Sequence, residues 1–202
     1  MGTPTATLRI IGGRFRGRPI RYLGDPRTRP MKQRVREAAF NLLGARVEGV
    51  HVIDLFAGTG ALAWEALSRG AASATLIERH FPSARLIREN AAALGVTQLI
   101  EVVPGDTFVW SRKLAQGAVA DRCKRSWLVF CSPPYQLYVT DTQPMQTLIG
   151  RMVELAPAGS LVVVESDQRL DPATLPDSCH WDVRHYFPAV LAIAETGVPH
   201  RS

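Results

Sequence analysis

One segment of the sequence combines a carboxylate with glycines in a pattern that can bind a cofactor. Asp54-Leu55-Phe56-Ala57-Gly58-Thr59-Gly60 follows an apolar run and precedes a segment with helical spacing. Gly58 and Gly60 allow the backbone to turn tightly and to approach a ligand closely. The charge of Asp54 would oppose a pyrophosphate at the following helix but would favour a cationic ligand. The segment therefore predicts a positively charged nucleoside cofactor such as S-adenosylmethionine. The formal match Gly58-x-Gly60-x-x-Ala63 leaves a dinucleotide such as NAD as an alternative.

Two more carboxylates lie where strands are predicted to end. Glu78 ends the strand that follows the glycine segment, and Asp106 comes just after the next strand. Ligands of open α/β sheets bind outside the carboxyl ends of the strands, so both side chains are expected near the cofactor. Glu78 can accept hydrogen bonds from both hydroxyls of a ribose. Asp106 can reach the amino group of an adenine.

A second chemical motif is the turn Ser132-Pro133-Pro134-Tyr135, which directly follows a buried strand. Its prolines fix φ and remove two backbone donors, so the turn is rigid and rich in acceptors. Such a turn suits the exocyclic amine of a base, a poor nucleophile whose lone pair is delocalised into the ring. Ser132 Oγ and the Pro133 carbonyl can accept its N–H bonds, and Tyr135 can stack on the base. The alternative is a rigid loop with a packed tyrosine. Glu165, at the end of the fifth strand, is expected near the same crevice as either a functional or a paired carboxylate.

Alternating strands and helices must position these motifs. Predicted strands span 51–56, 73–78, 99–103, 127–131 and 161–165, and predicted helices span 31–46, 61–69, 82–94, 107–120 and 142–156. Two later strands, 181–186 and 190–194, have no long helix between them. This order predicts an α/β fold with a doubly wound, mostly parallel sheet of seven strands and an antiparallel hairpin at one edge.

The N-terminal segment is strongly basic. Residues 1–36 hold ten of the chain's 24 Lys and Arg residues but one of its 18 Asp and Glu residues. Arg forms bidentate bonds to phosphate oxygens, so the segment suggests a nucleic-acid partner. The alternative is a solvated basic arm with no partner. A strand-like run at 8–11 followed by two glycines predicts a β-rich arm, and we expect residues 1–30 to form this arm and residues 31–202 to form the main domain.

The combination Asp54-x-Phe56-x-Gly58-x-Gly60 with Ser-Pro-Pro-Tyr resembles the class I S-adenosylmethionine-dependent amino-methyltransferases. The basic arm narrows this resemblance. The runs that look like the RsmD family are Arg9-Ile-Ile-Gly12-Gly13, Gly17-Arg18, Thr28-Arg29-Pro30 and Arg34-Val35-Arg36-Glu37. The similarity extends from about Leu8 to Glu165. At Ser132 the sequence departs from the family's usual Asp or Asn, and a hydroxyl is a weaker acceptor than a carboxylate.

The resemblance implies a Rossmann-like methyltransferase fold and methyl transfer from S-adenosylmethionine to the exocyclic N2 of a guanine in bacterial 16S ribosomal RNA. It implies ribosomal RNA or the small ribosomal subunit as the partner. The implied cofactor-binding residues are Asp54, Phe56, Ala57, Gly58, Gly60, Glu78, Asp106 and Thr107. The implied catalytic residues, which position the guanine, are Ser132, Pro133, Pro134 and Tyr135. The implied RNA-binding residues are Arg9, Arg14, Arg16, Arg18, Arg29 and Arg34.

Two other functions are compatible with the residues. One is methylation of adenine N6 or cytosine N4 in RNA or DNA, and the other is a non-catalytic RNA-binding or assembly protein that kept the fold. The longest uncharged run, Ser126–Thr140, is shorter than the ~20 apolar residues of a membrane helix, so no membrane association is expected. Three cysteines without ligand-like spacing predict a cytoplasmic protein with neither a disulfide framework nor a metal site. We expect a monomer.

Overall fold

The computed structural model describes residues 5–24, 31–114 and 125–197. The chain divides into two compact units, Met1–Thr107 and Phe108–Ser202. Within the described ranges, no helix combines the length and the apolar character needed to cross a membrane.

The first unit begins with a hairpin of two antiparallel strands, β1 (Thr5–Arg9) and β2 (Pro19–Leu23). Ile10 and Ile20 are buried, whereas the Thr and Arg side chains of β1 are exposed. This alternation gives the hairpin one apolar face. The predicted β-rich arm is therefore a folded hairpin over its described residues.

Three parallel strands form the centre of the first unit, in the order β5-β4-β3. They are β3 (His51–Asp54), β4 (Ser73–Glu78) and β5 (Ile100–Pro104). The helices of this unit are α1 (Gln33–Leu43), α2 (Ala61–Ser68) and α3 (Phe81–Leu94). Every residue of α2 is buried, because its sequence is apolar on nearly all sides. Helix α3 ends at Gly95, whose φ of 72° is the left-handed conformation that glycine readily adopts.

Among its described residues, the second unit holds four strands in the order β6-β7-β9-β8. Strands β6 (Trp127–Cys131) and β7 (Leu161–Ser166) are parallel, and they pack next to the antiparallel pair β8 (Trp181–Tyr186) and β9 (Ala189–Glu195). Helix α4 (Thr107–Leu114) begins at the boundary between the units, and α5 (Leu137–Thr140) and α6 (Thr142–Leu155) follow β6. Strands β6 and β7 are buried along their whole length, as their continuous apolar runs require.

The fold-class prediction is confirmed: the chain is α/β, with a mostly parallel seven-stranded sheet, an antiparallel edge hairpin and a separate two-stranded sheet. Helix α1 ends at Leu43 instead of residue 46, because Gly44 takes a φ of 54° and the chain continues as a short 3-10 helix over Gly44–Val47. The sequence pattern predicts no counterpart of α5. The predicted helix beyond residue 114 and the arm residues 25–30 lie outside the described residues.

Candidate active site

Asp54 ends strand β3 and is almost completely buried, with 1% of its surface exposed. The backbone amides of Phe56 and Ala63 donate hydrogen bonds to its carboxylate, yet its Oδ1 has no hydrogen-bond partner among the described residues. Burial, followed by the nearby negative charge of Glu78, raises the pKa of Asp54 to about 7. A buried carboxylate of this kind gains stability from any positive charge that binds beside it.

Glu78 ends strand β4 and joins the glycine segment to the next strand. Its Oε2 accepts a hydrogen bond from the backbone amide of Gly58 at 2.6 Å, and its Oε1 accepts one from the amide of His80 at 2.7 Å. Each carboxylate oxygen can accept a further hydrogen bond. Glu78 is therefore held in one orientation with the capacity to bind a pair of ligand hydroxyls.

Gly60 is required by the geometry of the turn before α2. Its φ is 72°, and a Cβ at this position would lie 2.7 Å from Trp64 Nε1 and 3.1 Å from Leu76 Cδ2. The indole of Trp64 in turn donates a hydrogen bond to the Thr59 carbonyl at 3.0 Å. The side chains of Trp64 and Leu76 thus leave space at this position for a glycine alone. Phe56 is half-buried and Ala57 is buried in the same turn.

Asp106 and Thr107 follow strand β5. Asp106 is exposed, whereas Thr107 is buried, and within the described residues its Oγ1 has no hydrogen-bond partner. The Gly105 amide donates to the Glu78 carbonyl at 3.0 Å, which ties the start of this segment to strand β4. The first unit therefore gathers its predicted cofactor residues at the carboxyl ends of β3, β4 and β5.

These groups fit the predicted cofactor. Asp54 offers an unpartnered buried carboxylate oxygen to a cationic group, and Thr107 offers an unpartnered buried hydroxyl, as judged within the described part of the chain. Glu78 offers a fixed carboxylate to ribose hydroxyls. A pyrophosphate would meet two carboxylates here, so the electrostatics of the turn disfavour a dinucleotide.

The Ser132-Pro133-Pro134-Tyr135 turn begins directly after β6, and one buried carboxylate orders it. Ser132 Oγ donates a hydrogen bond to Glu165 Oε2, and the Tyr135 hydroxyl donates to Glu165 Oε1 at 2.6 Å. Glu165 lies on β7 and is 4% exposed. The turn continues into α5, whose first amide, that of Leu137, donates to the Pro134 carbonyl at 2.9 Å.

The electrostatics keep the donors of this cluster protonated. Burial raises the pKa of Glu165, and the hydrogen bonds from Ser132 and Tyr135 oppose that shift because they stabilise the charged form. Burial and the charge of Glu165 raise the pKa of Tyr135, so its phenol stays neutral. Ser132 and Tyr135 are both half-buried, and each still presents part of its surface to a ligand.

The arm is anchored by a second buried carboxylate, that of Glu65 on α2, which is 1% exposed. Glu65 accepts hydrogen bonds from the backbone amides of Ile11 at 2.7 Å and Gly12 at 3.4 Å. It also pairs with Arg36 Nε at 3.2 Å and with the guanidinium of Arg69. Burial lowers the pKa of Arg36, but the adjacent Glu65 charge offsets part of this effect. Removing one partner from such a buried ion pair costs about 3–5 kcal/mol.

Two more polar side chains fasten the hairpin. Ser68 Oγ accepts from the Phe15 amide at 2.9 Å and donates to the Gly12 carbonyl at 2.5 Å. Asn90 on α3 exchanges two hydrogen bonds with the backbone of Arg21, at 3.0 and 2.8 Å. A Cβ on Gly13, whose φ is 73°, would lie 1.9 Å from the Ser68 carbonyl oxygen. The backbone of the basic arm is therefore hydrogen-bonded to side chains of α2 and α3.

The predicted RNA-binding arginines that the structure describes are exposed; they are Arg9, Arg14, Arg16, Arg18 and Arg34. Arg9 Nη1 donates to the Gly17 carbonyl at 2.8 Å, and Arg18 Nη2 donates to the Ala93 carbonyl at 2.9 Å. The guanidinium of Arg14 lies 4.4 Å from the centre of the Phe15 ring. Neutral partners of this kind leave the charges of Arg9, Arg14 and Arg18 available to anions. Arg29 lies outside the described residues.

Glu65, Ser68 and Asn90 hold the arm, and none of the three is predicted for this role from the sequence. For Glu65 and Ser68, the sequence feature that could have indicated a buried polar contact is a polar side chain inside an otherwise apolar helix. For Glu165 the sequence predicts a functional or paired carboxylate near the crevice, but not its role as the common acceptor of two hydroxyls. A carboxylate at the end of a valine-rich strand was the signal there.

The chain is similar to known proteins in both sequence and fold. A family model described as Conserved hypothetical protein 95 matches residues 8–185. YlbH of Bacillus subtilis, named for rRNA methyltransferase activity, is 31% identical over 171 residues, which cover 84% of this chain and 89% of YlbH. Ribosomal RNA small subunit methyltransferase D of Escherichia coli K12 is 46% identical over 87 residues, 43% of this chain and 44% of that protein. The solved structure of yhhF from Escherichia coli, described as a methyltransferase, has a TM-score of 0.76 at 28% identity, and the match covers 95% of this chain and 98% of yhhF.

The α/β fold, the glycine turn before α2 and the Ser-Pro-Pro-Tyr turn after β6 define a class I methyltransferase. The chain belongs to the family described as Conserved hypothetical protein 95, which is the RsmD family. Membership confirms the predicted resemblance and the predicted cofactor, S-adenosylmethionine.

Proposed function

We propose that this protein transfers a methyl group from S-adenosylmethionine to the exocyclic N2 amine of a guanine in small-subunit ribosomal RNA. The observation that carries the proposal is the Ser132–Tyr135 turn, whose two hydroxyls are fixed by Glu165. Such a turn suits an exocyclic amine of a base. The names of the relatives, which refer to ribosomal RNA and its small subunit, support this choice of substrate.

The first unit would hold the cofactor, which supplies an activated methyl group when bound. Asp54 would provide the countercharge for its cationic part, because the buried Oδ1 has no partner within the described residues. Phe56, Ala57, Gly58 and Gly60 would line the turn around it. Glu78 would bind the ribose hydroxyls, and Asp106 with Thr107 would border the adenine.

The second unit would hold the base. Ser132 Oγ and the Pro133 carbonyl would accept the N–H bonds of the exocyclic amine and so direct its lone pair toward the methyl carbon. Pro134 would keep the turn rigid, and Tyr135 would stack on the base. As the amine nitrogen bonds to the methyl carbon, the carbon–sulfur bond of the cofactor would break and S-adenosylhomocysteine would leave. The methylated nitrogen becomes acidic and would lose its proton to water, so a strong base is not required. Orientation of the two reactants then supplies most of the rate acceleration.

The basic arm would bind the RNA backbone. The residues proposed for this role are Arg9, Arg14, Arg16, Arg18, Arg29 and Arg34. Five of them carry exposed charges, and four of these five lie on a hairpin that is hydrogen-bonded to α2 and α3 of the same unit, so phosphates would meet a preorganised surface. Residues 1–30 would then contact RNA, and residues 31–202 would form the methyltransferase domain. A ribosomal RNA substrate would also imply a cytoplasmic protein.

Methyl incorporation tests the proposal. The purified protein is incubated with methyl-labelled S-adenosylmethionine and either naked unmodified 16S rRNA, small subunits lacking the modification, or DNA. We expect label in RNA from the naked or assembled substrate and none in DNA. The Asp54→Ala variant should incorporate no label and serves as the control. Label in DNA alone would replace the proposal by a DNA methyltransferase, and RNA binding without incorporation would favour a non-catalytic RNA-binding protein.

A further inference from the structure

Ser132 begins the turn proposed to hold the base, and its hydroxyl can either donate or accept a hydrogen bond. A hydroxyl has one proton to donate and two lone pairs that accept, whereas a carboxylate is an acceptor in every orientation. A free serine could therefore donate to the target base instead of accepting from it. In this structure the single proton of Ser132 is already donated, to Oε2 of Glu165.

We propose that Glu165 is a positioning residue that commits Ser132 Oγ to accept a hydrogen bond from the exocyclic amine of the target base. This inference rests on the proposed function. The carboxylate takes the serine proton, so the lone pairs of Oγ are what remains for the substrate. A hydrogen bond to a charged acceptor also increases the electron density on Oγ and makes it a better acceptor. The serine and the glutamate together thereby form an acceptor that the serine hydroxyl alone does not guarantee.

The surroundings of Glu165 make the direction of its hydrogen bond with Ser132 costly to reverse. Glu165 is 4% exposed and forms no ion pair within the described part of the chain. Its two oxygens are stabilised by the hydroxyls of Ser132 and Tyr135. A buried carboxylate that lost either donor would carry an uncompensated charge, so rotating the serine proton toward the substrate is costly.

Strand pairing holds the backbone of Glu165, and a third hydroxyl contacts that backbone and not the carboxylate. Glu165 pairs with Leu191 of β9 in the sheet, and its backbone carbonyl accepts a hydrogen bond from the Tyr138 hydroxyl at 3.1 Å. Tyr138 thus contacts the backbone of Glu165, whereas Ser132 and Tyr135 contact its side chain. This difference provides a matched control, since Tyr138→Phe removes a hydrogen bond to the same residue without touching the carboxylate.

The test is a double-mutant cycle on Ser132→Ala and Glu165→Gln, read by single-turnover methylation of RNA at saturating cofactor. Glutamine has the same size, but its amide donates where the carboxylate accepted, so one hydroxyl must reverse its direction. We expect each single variant to lose about 10- to 100-fold in rate, and the double variant to be no slower than the slower single one. The Kd for S-adenosylmethionine should stay within about twofold of wild type, as should the rate of Tyr138→Phe.

A rescue experiment separates hydrogen-bond direction from mere packing. Ser132→Asn brings a carbonyl acceptor that does not depend on the state of residue 165. We therefore expect Ser132→Asn combined with Glu165→Gln to methylate faster than Glu165→Gln alone. If Glu165→Gln does not fold, Glu165→Asp replaces it, because the shorter side chain withdraws the carboxylate from Ser132 while keeping its charge.

Urea unfolding of the four proteins of the cycle (wild type, Ser132→Ala, Glu165→Gln and the double variant) measures the energy of the hydrogen bond without requiring activity. Coupled unfolding free energies with coupled rates support the inference. The inference is overturned if the unfolding free energies are coupled but the rate losses of the two single variants simply multiply in the double variant. It is also overturned if Ser132→Asn does not rescue Glu165→Gln. Either result leaves the proposed function in place. An inactive wild-type protein in which Ser132 and Glu165 are still coupled in unfolding contradicts the proposed function, and this inference falls with it.

Discussion

Cofactor binding should release a proton near neutral pH, and Asp54 is the group that loses it. Burial and the charge of Glu78 raise the pKa of Asp54 from 3.8 to about 7 in the free protein. A cationic ligand stabilises the ionised carboxylate, so it binds the deprotonated protein more tightly. The affinity for the cofactor should therefore be highest when the pH is above this pKa, and it should decrease as the pH falls through this pKa.

The size of the effect follows from the pKa. About one tenth of Asp54 is ionised at pH 6 and about nine tenths at pH 8. If the ionised form alone binds, the Kd for S-adenosylmethionine should be about tenfold higher at pH 6 than at pH 8, a difference of about 1.4 kcal/mol. The same carboxylate holds its proton in the folded but not the unfolded protein between about pH 4 and 7. The free energy of unfolding should thus decrease as the pH rises through that window.

Isothermal titration at pH 6, 7 and 8, in two buffers with different ionisation enthalpies, measures both the Kd and the protons released. Asp54→Asn is the matched variant, because it keeps the shape of the side chain but does not titrate. Wild type should release a proton at pH 6, and the variant should bind weakly with no proton release at any pH. Equal wild-type Kd values at pH 6 and pH 8 without proton release would show that Asp54 is already ionised in the free protein. A full pH dependence in Asp54→Asn would assign the proton to another group.

Four further outcomes are expected. Asp54→Asn should raise the free energy of unfolding of the free protein at pH 8 by up to about 4 kcal/mol, measured by urea titration, because it removes a buried charge; an unchanged value would contradict the burial cost. Gly13→Ala places a methyl group against the Ser68 carbonyl, so it should undock the arm and weaken RNA binding while the cofactor Kd stays constant; equal loss of both would mean that the whole unit is disturbed. Removing three exposed arm charges should weaken RNA binding and reduce the slope of log K against log salt by about 0.7–0.9 for each phosphate that is no longer neutralised, and an unchanged slope would exclude the arm from the interface. The substitutions are Arg14→Ala, Arg16→Ala and Arg18→Ala. Tyr135→Ala should reduce turnover more than cofactor affinity in paired kinetic and titration measurements, and a parallel loss would argue against stacking on the base.

The sequence predicts the elements of this fold well where short-range rules apply. The continuous apolar runs of β6 and β7 and the glycine after α3 locate strand and helix ends to within a residue or so. The glycine turn is predictable because its determinants are local: glycine readily adopts the left-handed conformation found at Gly60, and the neighbouring Trp64 is four residues away in the sequence. Each of these features is contained in a short window of sequence.

The missed features join residues that are far apart along the chain. Glu65 binds the amide of Ile11 across 54 positions, and Ser132 binds Glu165 across 33. A polar residue in an apolar helix or strand indicates that it has a partner, but nothing local says which one. Helix α5 was missed because prolines and polar residues before it favour a loop, and its hydrogen bonds begin at the carbonyl of Pro134.

The identity of the methylated nucleoside is the sharpest test of the proposed function. Unmodified small subunits are incubated with the protein and S-adenosylmethionine that carries a deuterated methyl group, and the rRNA is digested to nucleosides for mass spectrometry. We expect a single labelled product, N2-methylguanosine, which disappears when Asp54→Ala replaces wild type. Label on adenosine N6 or cytidine N4 would contradict the guanine assignment, and no labelled nucleoside from either naked or assembled RNA would contradict the enzymatic role itself.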